Sequence, residues 1–84
     1  DEFQFTHTSQ DTSVTDFDAS QGDALRFYNE GGAEFDKGSV ATNSAGDGII
    51  IDYTNKYQTH SLDISLGLTD FSVTDSFLTS IEII

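Results

Sequence analysis

The chain has no cysteine and no proline, and only three of its 84 residues are basic. Without cysteine no disulfide can stabilise the fold, and the sequence carries no information about the redox compartment. A chain of this length has room for one domain with a modest buried fraction. Domains of this size usually depend on a disulfide, a metal or association with a partner. Since the disulfide is excluded, a metal or a partner remains.

Basic charge is the second shortage. Arg26, Lys37 and Lys56 stand against fifteen acidic residues, which gives a formal net charge of −12. This charge repels nucleic acid and anionic lipid, so we expect neither as a partner. It attracts cations instead. A set of calcium sites and an acidic, soluble extracellular surface both account for it.

Long apolar runs are also lacking. No segment reaches the length needed to cross a bilayer, so we expect no membrane span, and no signal peptide is visible. The chain begins at Asp1 within a strand-like pattern and without methionine. We therefore interpret residues 1–84 as a single β domain that is a fragment or module of a larger secreted protein.

Residue patterns for catalysis are missing as well. The two histidines, His7 and His60, have no Gly-x-Ser-x-Gly nucleophile motif to serve, and without cysteine they make a poor zinc site. Gly31-Gly32 lacks the Lys-Ser/Thr continuation of a phosphate-binding loop. The sequence leaves a pair of catalytic carboxylates open, but such chemistry needs a substrate cleft that so small a domain rarely holds. We expect no enzymatic activity, no catalytic residue and solvated histidines.

What the chain does have is alternation. Residues 61–66 alternate Ser, Leu, Asp, Ile, Ser, Leu, the pattern of a half-buried antiparallel strand. Residues 48–54 also read as a strand, and the five residues 55–59 connect the two. This predicts a β-hairpin at the centre of the domain. The residues that we expect to be buried are Phe17, Leu25, Ile51, Leu62, Ile64 and Leu66.

Weaker patterns complete the expected fold. Strands are predicted over 1–6, 12–17 and 25–28, and a bulged edge strand follows Ala33. Helical turns are predicted with Thr69 or Thr74 as N-cap, and a last strand near 81–84. The fold class predicted is all-β: a small antiparallel β-sandwich or β-roll-capping domain of about six or seven strands.

Carboxylates crowd the turn before the third of these strands. Asp16, Asp18 and Asp23 bracket it, and calcium takes its ligands from carboxylate and carbonyl oxygens of such loops. The sequence therefore predicts a calcium site formed by these three residues. Aspartates also cap turn backbone, so a purely structural role stays open. Asn43, Asp47 and Asp52 form a second, weaker group, and neither group has the EF-hand spacing.

The segment from Val14-Thr-Asp-Phe17 to Gly22-Asp-x-Leu25 resembles the one that follows the calcium-binding nonapeptide repeats of RTX, type I secreted bacterial proteins. Asp1-x-Phe3 is similar to the last part of such a repeat, although no complete repeat is present. Residues 48–53 and 62–72 resemble the terminal strands and the leucine- and aspartate-rich stretch of these proteins. The resemblance implies an extracellular or cell-surface protein, calcium-dependent folding and a C-terminal module for type I secretion.

A second function fits the same residues. The chain could be a binding or structural module of an extracellular assembly, such as a surface layer, a filament or an adhesin. Its partners would then be further copies of itself or other extracellular subunits. A monomer that folds only with calcium favours the secretion module, and a sheet edge that docks on a neighbour favours the assembly module.

Overall fold

The computed structural model of the protein describes residues 2–9, 11–14, 17–18 and 21–84. These residues are mostly strand and form two sheets, which confirms the predicted all-β character. The expectations for Asp1 and for the middle of the 12–17 strand fall outside the described residues. In chain order the elements are β1 (Glu2–Phe5), β2 (Thr12–Ser13), β3 (Ala24–Phe27), β4 (Ala33–Thr42), β5 (Gly48–Asn55), β6 (Gln58–Ser65), α1 (Asp75–Leu78) and β7 (Ile81–Ile83).

One sheet has the strand order β2-β6-β5-β4. β5 and β6 pair antiparallel, with Ile51 opposite Leu62, so the predicted hairpin is confirmed. Its connection is shorter than the five residues expected, because pairing continues to Asn55 and Gln58 and only two residues form the turn. β4 is an edge strand whose register shifts after Asp36, as the predicted bulge requires.

The other sheet has the order β1-β3-β7, and its strand pairs are parallel. β2 also runs parallel to its neighbour β6. The expectation of antiparallel pairing is therefore wrong for these strands. The physical reason is that side chains alternate between the two faces with the same period in both kinds of sheet. An alternating pattern identifies the buried face and leaves the direction of the partner open.

A shared hydrophobic core joins the two sheets. Phe5 and Phe27 come from the parallel sheet, and their ring centroids lie 5.2 Å apart. Phe27 in turn lies 5.1 Å from the ring of Phe35, which belongs to the other sheet. The six residues predicted to be buried are all buried, which confirms that part of the sequence analysis: Phe17, Leu25, Ile51, Leu62, Ile64 and Leu66.

The short helix α1 begins where one of the two N-cap predictions put it. The hydroxyl of Thr74 accepts a hydrogen bond from the Phe77 N–H at 3.1 Å. The other prediction, at Thr69, is wrong, because Asp70 has a φ of +50° and the chain bends there without forming a helix. In the part of the chain that the structure describes, no helix is long and apolar enough to cross a membrane.

Candidate functional site

The acidic turn before β3 is the first candidate site. Its described residues are Asp18, Gln21, Gly22 and Asp23, and it follows the buried ring of Phe17. The Asp23 carboxylate accepts a hydrogen bond from the Asp18 N–H at 2.9 Å, and the Asp18 carbonyl accepts one from the Gln21 N–H at 3.1 Å. Gly22 has a φ of +83°, which a residue with a side chain rarely adopts. The turn therefore places the backbone of Asp18 against the carboxylate of Asp23.

Asp16, the third predicted ligand, lies outside the described residues. Among the residues that are described, no three His, Cys, Asp or Glu side chains are grouped closely enough to hold a metal ion. The convergence of Asp16 with Asp18 and Asp23 therefore stays a prediction. The bond from the Asp18 N–H to Asp23 is the local backbone capping that the structural interpretation requires.

An open groove lies beside the acidic turn. It is lined on one side by Gly22, Asp23 and Ala24, and on the other by Ser76, Thr79, Ser80 and Glu82. Two hydroxyl groups of the groove donate hydrogen bonds to backbone carbonyls: Thr79 to Ser76 at 2.7 Å, and Ser80 to Phe77 at 2.6 Å. The groove is lined by the carboxylates of Asp23 and Glu82, of which Asp23 accepts from the Asp18 N–H and Glu82 lies 3.0 Å from the guanidinium of Arg26.

A second polar group, the Asn43 cluster (Asn43, Asp47, Asp63 and Ser65), lies where β4 passes into β5. Asn43 is 5% exposed, and its amide nitrogen donates to Asp47 at 2.8 Å and to Asp63 at 2.9 Å. Ser65 donates to the other oxygen of Asp47 at 2.9 Å. Because Asn43 donates both to Asp47 in the β4–β5 loop and to Asp63 on β6, the cluster connects this loop to β6.

These bonds set the charge state of Asp47. The hydrogen bond from Asn43 and then the one from Ser65 stabilise its carboxylate and lower its pKa below the usual value of 3.8. Asp47 also supports the backbone, because its carbonyl accepts hydrogen bonds from the N–H groups of Leu66 and Leu68. The loop is therefore stabilised most when Asp47 is ionised.

The second predicted group is only partly correct. Asn43 and Asp47 meet, but the Asp52 carboxylate accepts a hydrogen bond from Ser61 at 2.7 Å and does not belong to the cluster. The position that Asp52 was expected to take is held by Asp63, which the sequence analysis missed. Asp63 comes from β6, and only the register of three strands brings it to Asn43. No local sequence signal could have found it.

The histidines occupy different environments. His60 is exposed and stacks on Tyr53 with ring centroids 5.4 Å apart. His7 is half-buried, and its Nδ1 has no hydrogen-bond partner among the described residues. A Cβ added to Gly31 would lie only 2.6 Å from the imidazole ring of His7. Glycine at position 31 therefore allows the close approach of this ring to the backbone. The expectation of a solvated side chain agrees with the exposure of His60 and is wrong for His7.

Arg26 organises the outer face of the parallel sheet. Its guanidinium lies 3.0 Å from Glu2 on β1 and 3.0 Å from Glu82 on β7, so one cation links all three strands. A hydrogen bond with Tyr28, followed by these two carboxylates, raises the pKa of Arg26. One of the three cations of the chain is therefore bound within the fold.

Comparison with family models, with curated proteins and with solved structures gives no match for this chain.

Proposed function

We propose that the chain is a non-catalytic extracellular module that caps a parallel, two-sheet coil of the RTX type and serves its folding and type I secretion. One observation carries the proposal. The chain runs along one sheet as β1, crosses to the other as β2, and returns as β3, parallel to β1. This path is one turn of a coil with two sheets, the architecture of parallel β-helix repeats.

The edges of the sheets support a capping role. Within the described residues, β1 pairs only with β3, and β2 pairs only with β6. The Phe5 carbonyl points toward β3, because it accepts a hydrogen bond from the N–H of Tyr28, just after that strand. Successive residues of a strand direct their backbone groups to opposite sides, so the N–H and carbonyl of Gln4 point away from β3. A preceding coil would continue the parallel pairing there. Its inward residues would extend the column formed by Phe3, Leu25 and Ile81, so the two sheets would form a sandwich that prolongs the coil.

Calcium enters the proposal through the acidic turn. Asp18 and Asp23 lie on the same tight turn, Asp16 is close in sequence, and fifteen acidic residues favour binding of a cation. A bound calcium ion would offset the repulsion among these carboxylates and would stabilise the folded state by mass action. The extracellular or surface location and the use of the type I pathway rest on the resemblance to RTX proteins.

The capping role can be tested with a fusion. A short array of consensus nonapeptide repeats is placed before residue 1 and compared with the array alone, and folding is followed by circular dichroism as calcium is added. We expect the fusion to fold at a lower calcium concentration and more cooperatively. A matched control carries Leu25→Asp, which introduces a charge into the core. Equal calcium dependence of the array with and without the chain would refute the capping role.

The calcium site has its own test. Thermal melts of the 84-residue chain are recorded in EGTA and in millimolar calcium at constant ionic strength. We expect a higher midpoint with calcium, and we expect Asp18→Asn together with Asp23→Asn to abolish the difference. Asp70→Asn together with Glu30→Gln, two exposed changes outside the turn that remove the same amount of charge, serves as the control. Equal midpoints in the two buffers would show that the aspartates only cap the turn.

The edge of β1 that has no partner among the described residues also favours the second function. An unpaired strand edge is a template for a strand of another chain, so the same surface suits a module of a surface layer, filament or adhesin. The isolated chain then distinguishes the two functions. A monomer whose edge is used only in the fusion supports the cap, whereas association of the isolated chain with protection of the β1 amides supports the assembly module.

A further inference from the structure

The two ends of the molecule differ in how their strand edges are finished. At the end opposite β1 and β2 lie the other two edge strands, β7 of the parallel sheet and β4 of the antiparallel sheet. These two strands meet, because Lys37 on β4 donates to the backbone of β7. The contact involves a segment of β4 that has left its ladder. We call this segment, residues 37–40, the β4 arch.

The β4 arch is a large irregularity. Asp36 pairs with Asp52 and Ala41 pairs with Ile50, so four residues of β4 stand opposite the single residue Ile51 of β5. The extra length moves the backbone out of the sheet. Irregularities of this kind bend an edge strand and interrupt its row of backbone hydrogen-bonding groups.

Local hydrogen bonds hold the arch in shape. The Asp36 carboxylate accepts from the Gly38 N–H at 2.9 Å. The Ser39 hydroxyl donates to the Asp36 carbonyl at 2.6 Å and accepts from the Asp52 N–H at 2.8 Å, so it replaces a ladder bond that the arch removes. The base of the arch is therefore held by hydrogen bonds within β4 and to β5, independently of the contact with β7.

Lys37 uses this position to reach the outer edge of β7. Its ammonium group donates to the Ile81 carbonyl at 3.0 Å. The Ser80 carbonyl accepts from the Leu25 N–H of β3, so the carbonyl of the next residue, Ile81, faces away from β3 by alternation. Lys37 thus occupies a backbone acceptor that a further strand would otherwise use.

Without this contact the end of the sheet would be a template for association. β7 is short and β-branched, with Ile81, Glu82 and Ile83, and Ile84 after it is 55% exposed. Unpaired edges of this composition pair with other chains unless a charge, a bulge or a covering segment prevents it. Here the arch and its lysine supply all three.

We propose that Lys37 and the β4 arch close the β4–β7 end against strand addition by a second copy of this chain. Strand pairing with a partner is thereby directed to the β1 edge. This assignment is independent of the identity of the partner at β1, and it gives the module one open and one closed end.

The test compares two substitutions with the same effect on net charge. Lys37→Met removes the donor at β7, and Lys56→Met removes the exposed lysine at the hairpin turn. Sedimentation velocity is measured over a concentration series in about 0.5 M NaCl, which screens the repulsion between acidic copies. We expect Lys56→Met to sediment like the parent chain and Lys37→Met to form larger species as concentration rises. Lys37→Arg keeps a donor and should behave like the parent.

Hydrogen exchange locates the new contact. In the associated form of Lys37→Met we expect the amides of Ile81 and Ile83 to gain protection, since both face the outer edge of β7. Lys37→Gln, too short to reach the carbonyl, repeats the experiment if Lys37→Met does not fold. The proposal would be overturned if Lys37→Met, or Lys37→Gln in its place, sedimented like Lys56→Met, or if all variants shifted equally. Loss of folded NMR spectra in both Lys37→Met and Lys37→Gln would also overturn it.

Discussion

Gly48 is a residue at which one added methyl group would disturb the pairing of β5 with the chain at the end of β6. A Cβ on Gly48 would collide with the Ile64 carbonyl of β6 and would lie 2.8 Å from the backbone nitrogen of Leu66, just after that strand. Backbone cannot move aside as the end of a side chain can. We expect Gly48→Ala to lower the free energy of unfolding by about 1–3 kcal/mol or more, measured by urea denaturation.

The matched control for this prediction is Gly38→Ala. Gly38 is exposed, and its added Cβ would approach only the Asp36 side chain, at 3.2 Å. We expect this second substitution to have a much smaller effect than Gly48→Ala. Equal stabilities of the two variants would mean that β5 and β6 can separate at Gly48 without cost.

Asp47 makes the stability of the chain depend on pH. Its pKa in the folded protein is lowered by Asn43 and Ser65, so the unfolded chain binds its proton more tightly than the folded chain does. Stability from this group is therefore complete above the usual pKa of 3.8, which applies in the unfolded chain, and is lost as pH falls through the lower pKa of the folded state. We expect the urea midpoint to fall on acidification in that window, and to fall less in Asp47→Asn. Glu30→Gln, an exposed change of equal charge, should keep the parent slope.

At the scale of single elements, the turn of the β5–β6 hairpin contains a strained backbone conformation that one substitution can relieve. Lys56 is the first residue of the two-residue turn and has a φ of +60°, a conformation that favours glycine. We expect Lys56→Gly to stabilise the chain by about 0.5–1 kcal/mol, the left-handed penalty less the added entropy of glycine. Gln58→Gly, at the first residue of β6, should destabilise it. A lower urea midpoint for Lys56→Gly would contradict this account of the turn.

For the whole molecule, the dominant long-range term is repulsion among fifteen acidic residues. Asp36 and Asp52 even stand directly opposite each other on neighbouring strands, an arrangement that destabilises a sheet. We expect the melting temperature to rise between about 0.01 M and 0.5 M NaCl, because the Debye length falls severalfold over this range. Asp36→Asn keeps the oxygen that accepts from Gly38 and should reduce the salt dependence. A melting temperature independent of salt would show that the acids are too far apart to interact.

The sequence by itself determined the elements whose information is local. The alternation at Leu62 and Ile64, continued by Leu66 after the strand, determined the buried face of β6, because a half-buried strand must alternate. Thr74 marked the start of α1, since its hydroxyl caps the nearby Phe77 N–H. The interruption after Asp36 marked the bulged edge. In each case the residues that produce the structure lie within a few positions of one another.

Only the tertiary structure decided how these elements are joined. Parallel pairing of β1, β3 and β7 brings together residues as distant as Phe3 and Ile81, and alternation is the same whichever way a partner runs. The meeting of Asn43 with Asp63, and of Lys37 with the β7 carbonyl, likewise depends on registers between distant strands. A sequence pattern fixes which face of a strand is buried, because burial is a property of each strand. Partner, direction and register are properties of pairs, and the packing of the whole chain selects them.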